Sequence, residues 1–326
     1  MNALPHKLQR WIMSLPDGPM FQTINEHVEH LAEELYCEYE PTKGPYPDFW
    51  QRFEDWLDNG DDETKQQSLF RLMPSLFFIG PKELDNLYRV AFNCNITAWL
   101  IDQLSLTLDD VALSSKVTEA LSHTWFCPLT DSMRINAFYH LNHISGRDHR
   151  PDWLSLAVLA DPAKVDTFVS SKKIERIVLL EDFVGSGSQI EPAIKFAGSL
   201  SSRLPTLIVP LVICPAGVDA ARAWETSFNN VQVRPVLELR RLDFLTRAPQ
   251  TDEPTDHAVF RDLAIDSFSK LLAGKTAQEA KIYGPFGFDD TGGLVILATN
   301  CPDNTLPLIH HGSVTWKPLF PRASRI

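Results

Sequence analysis

Through the first third of the chain, apolar positions recur at helical spacing. In "FWQRFEDWLDNG", Phe49, Trp50, Phe53, Trp56 and Leu57 share one helix face, and the pattern stops at Gly60. "DDETKQQSLFRLMPSLFFIG" opens with acids suited to the positive end of a helix. "PKELDNLYRVAFNCNITAWLIDQL" starts at Pro81 and keeps Leu84, Leu87, Tyr88, Ala91 and Phe92 to one side. The aromatic stripe reads as the packed seam of a helical bundle rather than a surface for stacking ligands.

Near residue 125 the pattern changes. "TWFCPL" reads as a short strand, "TDS" as a loop with a capping serine, and "MRINAFYHLNHI" as a helix. From residue 174 onward apolar strands alternate with helices: "RIVLLE", "TLIVPLVIC", "VQVRPVLEL" and "GGLVILATN" against "QIEPAIKFAGSL", "AGVDAARAWETSF" and "TDHAVFRDLAIDSFSKLLAG". Strands that are apolar throughout and alternate with helices predict an α/β fold, with a mostly parallel sheet covered on both faces. The expected division is a helical N-terminal region over residues 1–120 and an α/β core with a C-terminal extension over residues 121–326.

Composition narrows the function. With 326 residues, 44% hydrophobic, the chain has ample material for a large core. A net charge of −12 argues against a surface that coats DNA, which needs a basic field. Arg240, Arg241, Arg247, Lys317, Arg322 and Arg325 read as solvated charges. Neither a signal peptide nor a membrane-spanning stretch is apparent, since no apolar run approaches the ~20 residues a bilayer needs. Five scattered cysteines without a C-x-x-C pair fit reduced thiols, so a cytoplasmic location is expected.

The stretch that carries chemistry is "RIVLLEDFVGSGSQIEPAIKF". Two acids, Glu181 and Asp182, close a strand. Gly185, Ser186, Gly187, Ser188 and Gln189 form a small-residue loop, and a helix follows. Ligands of open α/β sheets sit at the carboxyl ends of strands. Glycines there allow positive φ and close backbone approach, the serines add hydroxyls, and the helix adds its positive end, so the loop is a candidate phosphate cradle. The acids repel a phosphate but suit hydroxyl donors or a cation. Together these features describe a clamp for a ribose 5-phosphate, with Glu181 and Asp182 on the diol.

These residues resemble the signature of type I phosphoribosyltransferases: four apolar residues, two acids, two apolar residues, then a small Thr/Ser/Gly-rich loop. Gly185 stands where that signature usually has threonine, and Gln189 where it has Thr or Ser. The resemblance implies a sheet of phosphoribosyltransferase type. It also implies that the acids hold ribose hydroxyls of phosphoribosyl pyrophosphate (PRPP) while the loop holds its 5-phosphate. It further implies an upstream pyrophosphate loop, for which "FCPLTDSMRINAF" offers Asp131, Ser132 and Arg134. Magnesium would enter with the phosphorylated ligand, with Asp131 able to help hold it, and no dedicated protein metal site is expected.

"PLTDS", "LLEDFVGSGSQ", "NTLPLIHH" and "WKPLFPR" resemble the PRTase-CE family of bacterial antiphage conflict systems, some in retron cassettes. That resemblance implies a nucleotide-directed effector, transferring a phosphoribosyl group or cleaving an N-glycosidic bond. It also implies a protein partner in a defence complex, with a reverse transcriptase and its nucleic acid among the candidates. A non-catalytic nucleotide-sensing module remains the alternative.

"LLEDFVGSGS" also resembles the S-adenosylmethionine loop of amino-methyltransferases. Those enzymes need a Pro-Pro-aromatic loop, and the chain has no Pro-Pro dipeptide. No lysine follows Gly187, so a P-loop is excluded. His140 and His143, one turn apart with Asp148 and His149 beyond, lack a fourth zinc ligand of their own type. The adjacent His310 and His311 would point apart in an extended chain, so at most one could face a ligand, and the more economical reading leaves both outside the site. "GFDDTGG" reads as a turn.

Overall fold

A computed structural model describes residues 4–14, 16–42, 46–145, 162–200, 203–274 and 284–323. Its strands, in chain order, are β1 (Phe77–Ile79), β2 (Thr124–Pro128), β3 (Arg176–Val184), β4 (Thr206–Ile213), β5 (Val231–Val233), β6 (Leu237–Glu238) and β7 (Val295–Leu297). Contacts group the chain into two compact units, residues 1–81 with 241–326 and residues 82–240. The expected division at residue 120 was drawn from a change of pattern along the chain. It differs because the C-terminal segment folds back among the first helices.

The first unit is helical. Asp48 and Asp62 cap the Phe49–Leu57 and Glu63–Leu72 helices, each accepting a backbone N–H at 2.9 Å. The aromatic stripe is buried: Phe53, Trp56 and Leu57 are fully enclosed with Phe21, Phe70 and Trp11. The C-terminal stretch closes over them. Trp56 and Trp316 both donate their indole N–H to the Leu308 carbonyl, at 2.7 and 3.0 Å. Arg52 donates to Leu319 O, and Asn59 exchanges two hydrogen bonds with the Lys317 backbone. The stretches "NTLPLIHH" and "WKPLFPR" therefore belong to this core, with Leu308, Ile309, Leu319 and Phe320 all sealed from solvent.

β7 does not join the main sheet. It pairs in parallel with β1, three residues that follow Pro74 and read in the sequence as the tail of a helix. Among the basic residues, Arg247 faces Asp290, Lys317 faces Asp55 and Arg322 faces Asp303. Arg325, Asp148 and His149 lie outside the described residues. The "GFDDTGG" stretch is a turn, with Asp289 and Asp290 both at positive φ.

The second unit is the α/β part. Its sheet runs β2-β3-β4-β5, all parallel, with β6 also on β4. β5 and β6 were expected as one strand. They are two because Pro235 separates them, though Arg234 and Val236 both still donate to β4 carbonyls. β3 is central, and Ile177–Leu180 are fully buried, as their unbroken apolar run requires. From Pro81 to Gln103 one helical run carries a π-turn at Ala91–Ile96. Asn95 there donates to the Arg234 and Pro235 carbonyls at 2.8 and 2.9 Å, supplying donors at the β5–β6 break.

His310 lies on the short Pro307–His310 helix and is 3% exposed, with Nε2 3.1 Å from the Thr305 carbonyl and Nδ1 unpartnered. Since a carbonyl only accepts, Nε2 carries the proton. The ring is a buried member of the core rather than a residue reaching for a ligand. Burial, with Arg322 and His311 nearby, pulls its pKa down to about 3. A base depressed by folding contributes stability that is present above its unfolded pKa of about 6.5 and lost as pH falls toward the folded value. His310→Gln, which takes up no proton, should therefore show a flatter loss of thermal stability than the parent between about pH 6.5 and 3, read by circular dichroism.

Candidate functional site

The register of the central sheet builds the site. Pro128 is opposite Leu180, and the Leu129 amide continues the ladder onto the Leu180 carbonyl at 2.8 Å. That step sets Thr130 beside Glu181. Thr130 and Ser132 lie on the bend after β2, where the Ser132 amide donates to Thr130 Oγ1 at 3.3 Å and the turn brings both hydroxyls to one side. Thr130 Oγ1 donates to Glu181 Oε1 at 2.6 Å, and Ser132 Oγ lies 3.1 Å from Glu181 Oε1 and 2.9 Å from Asp182 Oδ1. The two hydroxyls are themselves 2.6 Å apart.

These are four close oxygen contacts for two hydroxyl protons, so the cluster is short of hydrogen. Glu181 Oε2 is buried and accepts nothing. Burial pushes the Glu181 carboxyl well above the ordinary carboxylate range, and the adjacent Asp182 charge adds to it, against the lowering effect of the Thr130 and Ser132 hydroxyls. Burial and the neighbouring carboxylate thus favour the protonated form of Glu181.

Beyond the acids, β3 runs on to Val184 and the chain turns through residues 185–190 into the Glu191–Ser199 helix. Of the two glycines expected at positive φ, Gly187 has it, at 88°. A Cβ on Gly187 would lie 2.9 Å from the Trp224 ring. Gly185 does not adopt positive φ, and its carbonyl sits 2.8 Å from where a Cβ on Gly217 would fall, so the missing side chain at Gly217 lets the Pro215–Ser227 helix press onto the loop. The Ile190 and Glu191 amides close the turn on the Gly187 carbonyl, at 3.2 and 3.1 Å, rather than facing outward. Ser186 and Ser188 bring their hydroxyls within 3.0 Å of each other, and Ser188 and Gln189 are exposed.

The upstream loop differs from expectation in one role. Arg134, not Ser132, is the N-cap position of the Ile135–Leu141 helix, and no side chain caps it. Ser132 is turned onto the acids. Asp131 and Arg134 are exposed. Tyr88 was not anticipated: it is buried beside Asp182 and Arg134, and burial, then Asp182, raises its phenol while Arg134 lowers it. Thr130 was also missed, although its two-residue spacing from Ser132 was a readable signal. Among the described residues no group of three or more His, Cys, Asp or Glu is placed to hold a metal, His140 and His143 included.

A family model, PRTase-CE, matches residues 53–322. The chain belongs to the PRTase-CE family. It is accordingly a phosphoribosyltransferase-like protein, with the α/β architecture and helical N-terminal region described above. No curated protein and no solved structure matches it. Among the described residues no helix is long and apolar enough to cross a membrane. In this PRTase-CE chain the match spans residues from both compact units, and the acid pair with its loop lies in the second.

Two outcomes are expected. Glu181 is an acid whose folded pKa is raised, so its contribution is full below the unfolded value of about 4.5 and is lost as pH climbs through the folded one. Glu181→Gln should therefore melt no lower than the parent above neutral pH, and its stability should fall less from pH 5 to 9. Gly217→Ala should destabilise by about 1–3 kcal/mol, read by denaturant unfolding, because the added methyl meets the Gly185 carbonyl.

Proposed function

We propose that the Glu181–Asp182 pair and the Gly185–Gln189 loop bind a ribose 5-phosphate compound, PRPP or a nucleotide. We further propose that the protein acts on it as an effector of bacterial antiphage defence. The observation that carries this reading is the placement of acceptors that already bind hydroxyls directly before a glycine-serine turn, at the carboxyl end of a central parallel strand. Membership of a phosphoribosyltransferase-like family supports the same direction.

The chemistry would proceed at the anomeric carbon. The bond from C1′ to pyrophosphate or base breaks, and the leaving group departs with the electron pair. A base nitrogen or water then forms the new bond to C1′ and gives up a proton. The transition state has oxocarbenium character, which the Asp182 charge would steady. Magnesium would arrive on the phosphates, which suits an ion that keeps few protein ligands. Ser186, Ser188 and Gln189 would meet the 5-phosphate. Of the upstream loop, Arg134 would meet pyrophosphate as the cation and Asp131 would help hold the magnesium, while Ser132 is turned onto the acids. A protein partner, with a reverse transcriptase and its nucleic acid as one candidate, belongs to the same reading.

A binding module without chemistry is the second reading. It is favoured by the withdrawal of Glu181, whose Oε1 is committed to Thr130 and Ser132.

A thermal-shift and calorimetric panel tests these readings, using PRPP, nucleoside monophosphates and S-adenosylmethionine with and without magnesium. Stabilisation by a ribose 5-phosphate compound is expected, and Asp182→Asn should weaken it about tenfold or more while the fold persists. Stabilisation by S-adenosylmethionine alone, or binding that survives Glu181→Ala with Asp182→Ala, would sink the assignment. Release of base or pyrophosphate on incubation separates the enzyme from the module.

A further inference from the structure

A cavity of about 350 Å³ lies in the α/β unit beside the first residues of β4 and β5, lined by Trp99, Gln103, Arg203, Asn229, Asn230 and Gln232 among others. Thr206 opens β4, and Pro210 is the residue paired with Glu181. Four strand positions, about 13 Å, therefore separate this cavity from the acid pair. One wall is fixed by Asn230, whose side-chain amide donates to the Leu204 carbonyl at 3.0 Å while its own carbonyl accepts the Thr206 amide at 2.8 Å. Trp99, 1% exposed on the Thr97–Gln103 helix, supplies an apolar wall.

The other polar groups around the cavity are idle. Among the described residues the Arg203 guanidinium has no partner, and the side-chain amides of Gln103, Asn229 and Gln232 make no hydrogen bond. Nearby Arg234, by contrast, is paired with Asp102 at 2.8 Å. Arg203 is also held at a φ of 44°, a left-handed conformation that glycine or asparagine takes more readily. Backbone strain of that kind gathers at binding sites.

We propose that this cavity is a second binding site, for a nucleoside monophosphate, independent of the ribose-phosphate reading of the acid pair. Arg203 takes the phosphate, and the carboxamides of Gln103, Asn229 and Gln232 take the base. An unpaired guanidinium in a chain of net charge −12 calls for an anion. A bare anion would use only the donor half of each carboxamide. Each carboxamide offers a donor and an acceptor side by side, and the edge of a nucleobase presents the complementary pair. The volume lies at the lower end for small-molecule pockets, which suits a single nucleotide. The lining holds no carboxylate and no nucleophile, so the site binds its ligand without altering it.

The test uses the full chain with AMP, GMP, CMP and UMP, and inorganic phosphate as the bare-anion control, by calorimetry and ligand-observed NMR. At least one nucleotide should bind Asp182→Asn, and Arg203→Gln, its thermal unfolding checked first, should weaken that binding about tenfold or more. Gln103→Leu with Gln232→Leu should narrow the preference among the four bases while phosphate contact persists. If no nucleotide responds to Arg203→Gln, or phosphate alone binds as tightly as every nucleotide, the second site is wrong. Neither result bears on whether ribose 5-phosphate binds at the acids, which Asp182→Asn reads separately.

Discussion

Two adjacent carboxyl groups at the end of a buried strand are the constraint around which the second unit is arranged. Desolvating two charges side by side is costly, and the protein meets the cost in two ways. Burial favours the protonated form of Glu181, and hydroxyl donors come from the bend that follows the neighbouring strand. The second remedy fixes much else. Thr130 and Ser132 reach the acids only because β2 pairs with β3 one residue beyond its own end, through the Leu129 amide. A slip of one residue would carry the bend, and its hydroxyls, away from the carboxyls. The acid pair therefore helps specify the β2–β3 register, whatever ligand it meets.

The turn after the acids is held by packing rather than by its own hydrogen bonds alone. Gly187 adopts a left-handed conformation under the Trp224 ring, and Gly217 lets the next helix descend onto the Gly185 carbonyl. Neither Trp224 nor Gly217 looks functional in the sequence, because each acts through contact across forty or so positions at most, on a helix read simply as cover for the sheet. Yet they decide how far the Ser186 and Ser188 hydroxyls sit from the sheet and how little the loop can yield.

What the sequence disclosed and what it hid follow from range. Local signals survived: the Phe49–Leu57 helix, the buried runs of β3 and β4, the acid pair and the glycine-serine turn are all written in contiguous residues. Non-local pairing was not legible. The strand Phe77–Ile79 exists because Val295–Leu297 pairs with it, and nothing within reach of Phe77 announces that partner. The same is true of the break at Pro235, whose donors come from Asn95 on a π-turn. At the site, the acids were identified as acceptors for hydroxyls. Which hydroxyls they hold was not, because Thr130 sits fifty positions away on another strand.

The donors at Glu181 also bear on where affinity would come from. A protein hydroxyl and a sugar hydroxyl are nearly the same hydrogen-bonding group, so exchanging one for the other at Asp182 is close to neutral. On the proposed reading a ligand would gain little at the acids and would have to gain it elsewhere: from the 5-phosphate against the loop, from the helix beyond it, or from pyrophosphate against Arg134. Ile190 and Glu191 spend their amides on the Gly187 carbonyl, which removes two of the helix-end donors that such a phosphate would otherwise find. The hydroxyls of Ser186 and Ser188, 3.0 Å apart, would on that reading carry more of the contact than in a loop whose helix amides face outward. On the ribose-phosphate reading proposed above, recognition would then rest on the loop serines more than on the acids.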